Sequence, residues 1–185
     1  MAMAASKLRK PRPPLDAAKL EELAISYVGR FATSRAKLAT YLSRKLRERG
    51  WAGPGEPPVE IIADRLTRLG YIDDRGYALA KARSLSARGY GRGRVRQALL
   101  QAGIAEENSA EANELAAAEA YEAALRFARR RSFGPFAASK PDAPARERAI
   151  AAMIRAGHEF RMARAIIDLG PGEFPDCEEP SNVSF

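Results

Sequence analysis

Apolar residues along this chain recur at the three- and four-residue steps of an amphipathic helix, and the two-residue alternation of a strand appears nowhere. After Asp16, the residues Leu20, Leu23, Ala24 and Tyr27 predict a helix that ends at Gly29, near Arg30. Thr33 or Ser34 can cap a second helix with the face Leu38, Tyr41, Leu42 and Leu46, stopping at Gly50. Residues 51–58 (WAGPGEPP) form a rigid loop by composition. A third helix then runs from about Pro58 through Val59, Ile62, Leu66 and Leu69 to Gly70.

Residues 69–104 form the organising stretch: two helices joined by a glycine-rich corner. Asp73 and Asp74 stand where an N-cap is wanted, Gly89 and Gly91 flank Tyr90 at the corner, and Gly103 is the stop. Alanine-rich helix follows over 105–125, with the thin apolar face Ala117, Ala120, Tyr121, Ala124 and Leu125. A proline-bearing loop, 132–144, leads to two more helices. One carries Ala149, Ile150, Met153 and Ile154 and ends at Gly157; the other carries Phe160, Ala163, Ile166 and Ile167 and ends at Gly170.

Three of these helices end in similar phrases, at Gly50, Gly103 and Gly157, which are 53 and then 54 residues apart. Each is preceded by a basic helix start: Ser34-Arg35-Ala36-Lys37, Gly91-Arg92-Gly93-Arg94 and Ala145-Arg146-Glu147-Arg148. A fixed period of this kind marks stacked supersecondary units that cover one another's apolar faces. The predicted fold is all-α, with three tandem three-helix repeats (15–71, 72–117 and 118–170) in an elongated, curved array. A flexible basic arm (1–14) precedes them and an acidic disordered tail (171–185) follows.

Charge changes the picture most in the central repeat. Between Arg75 and Ala102 there are seven basic residues (Arg75, Lys81, Arg83, Arg88, Arg92, Arg94 and Arg96) and no acidic one, whereas 105–125 holds six glutamates and no base. Over the 185 residues the net charge is +8, which favours an anionic partner, either nucleic acid or an acidic protein face. The one cysteine, Cys177, excludes an intrachain disulfide, and no apolar run is long enough to span a bilayer. The expected setting is the cytoplasm, without membrane contact.

Catalytic signatures are missing. There is no phosphate-cradling GxxxxGK[ST], no HExxH and no nucleophile elbow, and the only histidine, His158, has no second ligand in pattern. The expectation is a binding protein without cofactor or metal. Candidate partner contacts are Arg83, Arg88, Tyr90, Arg92, Arg94 and Arg96, with Arg35 and Lys37 from the first repeat; the alternative is a solvated helix face for the basic residues and core or corner packing for Tyr90. Gly70, Tyr71, Asp73, Asp74, Gly89, Gly91 and Gly103 are expected to be structural, although Tyr71 and Tyr90 could equally be interface aromatics.

Leu69-Gly70-Tyr71-Ile72-Asp73-Asp74, then Arg83, Arg88-Gly89-Tyr90-Gly91 and the Arg94, Leu99, Gly103-Ile104 helix, resemble the central repeat of the RecX family of bacterial recombinase regulators. The resemblance extends over roughly 16–170 and is weakest in the third repeat, with its arginine run and long proline loop. It implies a monomeric negative regulator of RecA in DNA repair, homologous recombination and the SOS response. Such a protein would lie in the groove of the RecA filament on single-stranded DNA, inhibiting filament growth, ATP hydrolysis, strand exchange and co-protease activity. DNA itself would be touched weakly or through RecA. The alternative is a basic helical-repeat protein that binds DNA directly.

Overall fold

Short polar side chains set the helix starts. Asp16 accepts a hydrogen bond from the Lys19 amide (2.8 Å), Ser34 from Lys37 (3.2 Å), Asp73 from Gly76 (2.9 Å) and Asp142 from Ala145 (2.8 Å), each satisfying an orphan donor of a first turn. A cap of this kind contributes about 1 kcal/mol. The computed structural model describes residues 12–174. In order the helices are α1 (Ala17–Val28), α2 (Arg35–Arg49), α3 (Val59–Arg68), α4 (Asp74–Ala87), α5 (Arg92–Gln101), α6 (Glu106–Ala118), α7 (Ala120–Arg131), α8 (Ala143–Arg155) and α9 (Phe160–Asp168). A 3-10 turn, Gly134–Phe136, lies between α7 and α8. Among the described residues there is no strand, only a single backbone bridge between Leu15 and Trp51. Over the described residues the chain is all-α, its nine helices following one another as three sets of three. Gly50, Gly103 and Gly157, the glycines of the repeat, all take the positive φ that a side chain resists (81°, 65° and 93°).

Two compact units divide these helices, one within Met1–Tyr77 and Ala102–Ala105, the other within Ala78–Gln101 and Glu106–Phe185. The boundary falls inside α4. In the first unit Leu15, Leu20, Ala24, Leu38, Leu42, Ile62, Ala63, Leu66 and Ile72 form the core. Tyr41 and Tyr27 stack across its edge with ring centres 4.2 Å apart. Leu15 exchanges backbone hydrogen bonds with Gly50 and Ala52, fixing the entry to α1 against the end of α2. In the second unit the core is Ala124, Phe127, Ala128, Ala149, Ile150, Met153, Ala156, Ala163, Ile166 and Ile167.

Several faces differ from the pattern in the sequence. Leu69, expected on the buried face of α3, is exposed: it is the C-cap, and the left-handed Gly70 turns the chain so that Ile72 enters the core instead. The alanine-rich stretch is broken at Glu119, and this resets the helical phase. Consequently α7 buries Ala123, Ala124, Phe127 and Ala128, while Ala117 and Tyr121 from the expected face stay exposed. The first residues of the stretch expected as an acidic tail, 171–174, are exposed but tethered: the Gly172 amide donates to Pro135 O at 2.9 Å and the Phe174 ring meets Phe136 at 5.3 Å. Of the expected basic arm, Pro13 accepts a hydrogen bond from Arg49 (2.9 Å). The expectations for residues 1–11 and 175–185, Cys177 included, lie outside the described residues.

Candidate partner-binding surface

In the first unit the basic face of α2 is engaged almost throughout. Arg35 binds Asp64 through Nε (2.8 Å) and Glu60 through Nη2 (2.7 Å), and the hydrogen bond to Asp64 raises its pKa despite partial burial. Its amide donates to Asp74 Oδ1 at 2.9 Å. Of the two aspartates expected to cap, Asp73 therefore caps its own helix, whereas Asp74 caps α2. Lys37 donates to the Tyr77 hydroxyl at 2.6 Å, with its ammonium 5.0 Å from the ring centre. Lys45 and Arg44 share Glu48, whose carboxyl is held below the usual range mainly by the hydrogen bond from Lys45. The positive charge that the sequence displays at Arg35 is thus neutralised inside the unit, and Lys37 is held in place.

Two other members of the central motif complete this local frame. The Ser34 hydroxyl donates to the Ala102 carbonyl (2.5 Å), and Gly103 sits against the Ala36 side chain. Gly70 turns with φ 76°, the Tyr71 amide closing back on Leu66 O at 3.0 Å, and leaves the Tyr71 ring exposed.

In the second unit the glycine corner is clamped. Gly91 N donates to Ala156 O and Gly93 N to Gly157 O, each at 3.0 Å. Gly89 lies against the backbone of α7, at Phe127 and Ala123. His158, which the sequence left without a role, is the pin. Its ring packs on Phe127 (5.5 Å between centres) and its Nε2 lies 3.2 Å from Gly89 O. A carbonyl oxygen only accepts, so Nε2 carries the hydrogen and Nδ1 is the bare nitrogen, buried and without a partner. Because a single histidine carries no periodic signal, only its place after a repeat glycine could have hinted at this.

Burial pushes the His158 imidazole below its ordinary pKa, outweighing the hydrogen bond to Gly89 that favours protonation. The neutral ring belongs to the folded state. Its contribution to stability is full above the unfolded value near 6.5 and is lost as pH falls from there through the lowered folded value. The melting temperature should therefore drop between about pH 7.5 and about pH 5.5, a window above ordinary carboxylate titration. His158→Gln should flatten that slope; an unchanged slope would place its origin elsewhere.

Around this pinned corner the candidate arginines divide. Arg92 binds Glu159 at 3.0 Å, so its charge is compensated. Arg94 donates to Gln97 (2.8 Å), a neutral group, and keeps its charge. Arg88 lies over the Tyr90 ring at 5.3 Å while its carbonyl accepts from Arg130 (2.6 Å); Arg130 also lies 5.8 Å from that ring. Tyr90 is thereby half-buried among guanidinium groups, and the arginine run of α7 is partly structural: Arg129 lies over Phe136 at 5.0 Å. Arg83 on α4 and Arg96 on α5 are exposed with no partner among the described residues. The segment from α4 to α5 thus presents Arg83, Arg88, Arg94 and Arg96 as uncompensated charge on a corner that is itself rigid.

Among the described residues no group of three or more His, Cys, Asp or Glu side chains could hold a metal ion, and no helix is long and apolar enough to cross a membrane. The family model for the second three-helix domain of RecX matches residues 73–112, the segment that contains this corner and its free arginines. The regulatory protein RecX of Myxococcus xanthus (strain DK1622) is 32% identical over 175 residues, spanning 89% of this chain and 94% of that protein. The regulatory protein RecX of Mycobacterium sp. (strain JLS) is 41% identical over 64 residues, 35% of this chain and 33% of that protein. Two solved structures share the fold. RecX from Lactobacillus salivarius has a TM-score of 0.57 at 18% identity, covering 82% of this chain and 94% of that one. A second regulatory protein RecX has a TM-score of 0.57 at 22% identity, covering 81% and 70%. With its three successive helix triplets, its central motif and a relative matched along nearly its whole length, the chain belongs to the RecX family.

Proposed function

We propose that this protein is a negative regulator of the RecA recombinase, acting in the cytoplasm by binding rather than by catalysis. It engages the RecA filament on single-stranded DNA and inhibits filament growth, ATP hydrolysis, strand exchange and co-protease activity. One observation carries the reading: the segment matched to the second RecX domain, 73–112, is also where Arg83 and Arg96 are exposed without an internal partner. Charges compensated within the chain, such as Arg35, gain little from a partner, whereas uncompensated ones steer the protein to an acidic surface and form ion pairs there. Arg88 and Arg94 join them as proposed contacts, with Tyr90 holding Arg88 in place; Arg92 contributes if it exchanges Glu159 for a carboxylate of the partner. Arg35 and Lys37 act indirectly, through α2.

The same free guanidinium groups favour a second reading, in which the protein binds DNA phosphates directly, since a guanidinium fork also fits phosphate. Titrating the protein into RecA's DNA-dependent ATP hydrolysis separates the two. Inhibition well below one copy per RecA protomer supports filament binding. Inhibition only at amounts that coat the DNA, with a steep loss on adding salt, supports competition for phosphates. Unchanged hydrolysis at saturating protein removes the regulatory reading.

A further inference from the structure

The first unit leaves three large apolar side chains uncovered in one short run: Ile61 is 69% exposed, Leu69 59% and Tyr71 60%. Ile61 on α3 and Leu69 at its C-cap are eight residues apart, about 12 Å along the helix axis and about 80° around it, and Tyr71 follows across the Gly70 turn. Their exposure is not a defect of the core, which α3 serves with Ile62, Ala63 and Leu66. Among the described residues the Tyr71 ring meets no other aromatic ring, whereas Phe31, also exposed, lies against Tyr27 at 5.5 Å. The polar residues around the ridge are already occupied: Glu60 and Asp64 by Arg35, and Arg65 by Glu21 at 2.7 Å. Arg68, one position from Leu69, is exposed and has no partner among the described residues.

We infer that this ridge docks on a protein surface offering an apolar groove bordered by carboxylates. Isoleucine and leucine gain nothing from phosphates but gain from burial against an apolar surface, and tyrosine and arginine are among the usual energetic centres of a protein interface. The completed ion pairs of Glu60, Asp64 and Arg65, close by in sequence, need no new partners at such a contact. A second copy of the chain fits poorly: net charge is +8, and a two-fold contact through this ridge would bring like Arg68 side chains together. The inference rests on the functional reading above in taking the protein of the RecA filament as the partner. It assigns that contact to the first unit, apart from the arginines of α4 and α5.

The test compares full-length wild type, Ile61→Gln/Leu69→Gln and Arg68→Glu. Affinity is read for RecA filaments on labelled single-stranded DNA, and for the same DNA alone. Both variants should bind filaments about tenfold or more weakly, with unchanged affinity for bare DNA, helicity and melting. Unchanged filament affinity, or an equal loss on bare DNA, overturns the inference while leaving the regulatory reading in place. A wild-type dimer that the double variant abolishes overturns the choice of partner. Wild type that fails to bind filaments overturns the regulatory reading itself, and this inference with it. If the double variant loses helicity, Arg68→Glu, at an exposed side chain with no hydrogen bond or ion pair among the described residues, decides the matter by the same criteria.

Discussion

Gly91→Ala should destabilise the protein by about 3 kcal/mol or more, at the upper end for overpacking a close-packed site. A methyl group at Gly91 would fall on the carbonyl of Gly157, well inside van der Waals contact, and 2.6 Å from the His158 amide nitrogen. All of these are backbone atoms, fixed by the hydrogen bonds from Gly91 N to Ala156 O and from Gly93 N to Gly157 O. No rotamer change relieves the clash, so the corner must open. The φ of Gly91 is not in the left-handed region, which makes the effect one of space alone. Gly55→Ala is the opposite control: φ is +61° but nothing lies within 4 Å of the added carbon, so strain alone should cost about 1 kcal/mol. Equilibrium denaturation of both variants checks the pair. Near-equal losses would mean the corner is not clamped as described. Since Arg92 and Arg94 follow immediately, Gly91→Ala should also weaken binding by releasing them from a fixed position.

The periodic apolar positions told the helices apart because a 3.6-residue repeat is a local property, and the caps at Ser34 and Asp73 followed from residue type and position. The repeat glycines were legible for the same reason: a helix end that turns through a residue at positive φ favours glycine, and Gly50, Gly103 and Gly157 all take that conformation. What the sequence hid depends on partners distant along the chain. Arg35 and Arg83 look equally free in the sequence, yet Arg35 finds carboxylates 25 and 29 residues away while Arg83 finds none. Arg130 reads as one of three like charges until its carbonyl acceptor 42 residues away is known. Asp74 reads as a cap for the helix it begins but caps α2, 39 residues back. Adjacent Ile61 and Ile62 carried a readable hint, because one face of a helix cannot bury both: the spacing of Val59, Ile62 and Leu66 put Ile62 inside, and Ile61 stays outside.

Arg83→Glu with Arg96→Glu should raise the concentration needed for half-inhibition of RecA's ATP hydrolysis by roughly 10- to 100-fold, since each reversal replaces an attraction to an acidic surface with a repulsion. Neither side chain has a structural partner among the described residues, so helicity and melting should not change. Arg92→Glu with Arg94→Glu is a poorer probe: it sets a glutamate against Glu159 and removes the bond to Gln97, so loss of function would mix with local rearrangement. The salt response carries the mechanism. If the arginines meet RecA carboxylates, wild-type inhibition should weaken moderately with salt and the double variant should show a shallower dependence. If they meet phosphates, the variant should lose affinity for bare DNA in the same proportion, with the slope of log affinity against log salt falling by about one per phosphate contact removed. Inhibition unchanged in a folded double variant would move the contact off α4 and α5 altogether. The uncompensated charge of the corner would then serve only to keep a strongly basic protein soluble, and the burden of recognition would pass to the first unit.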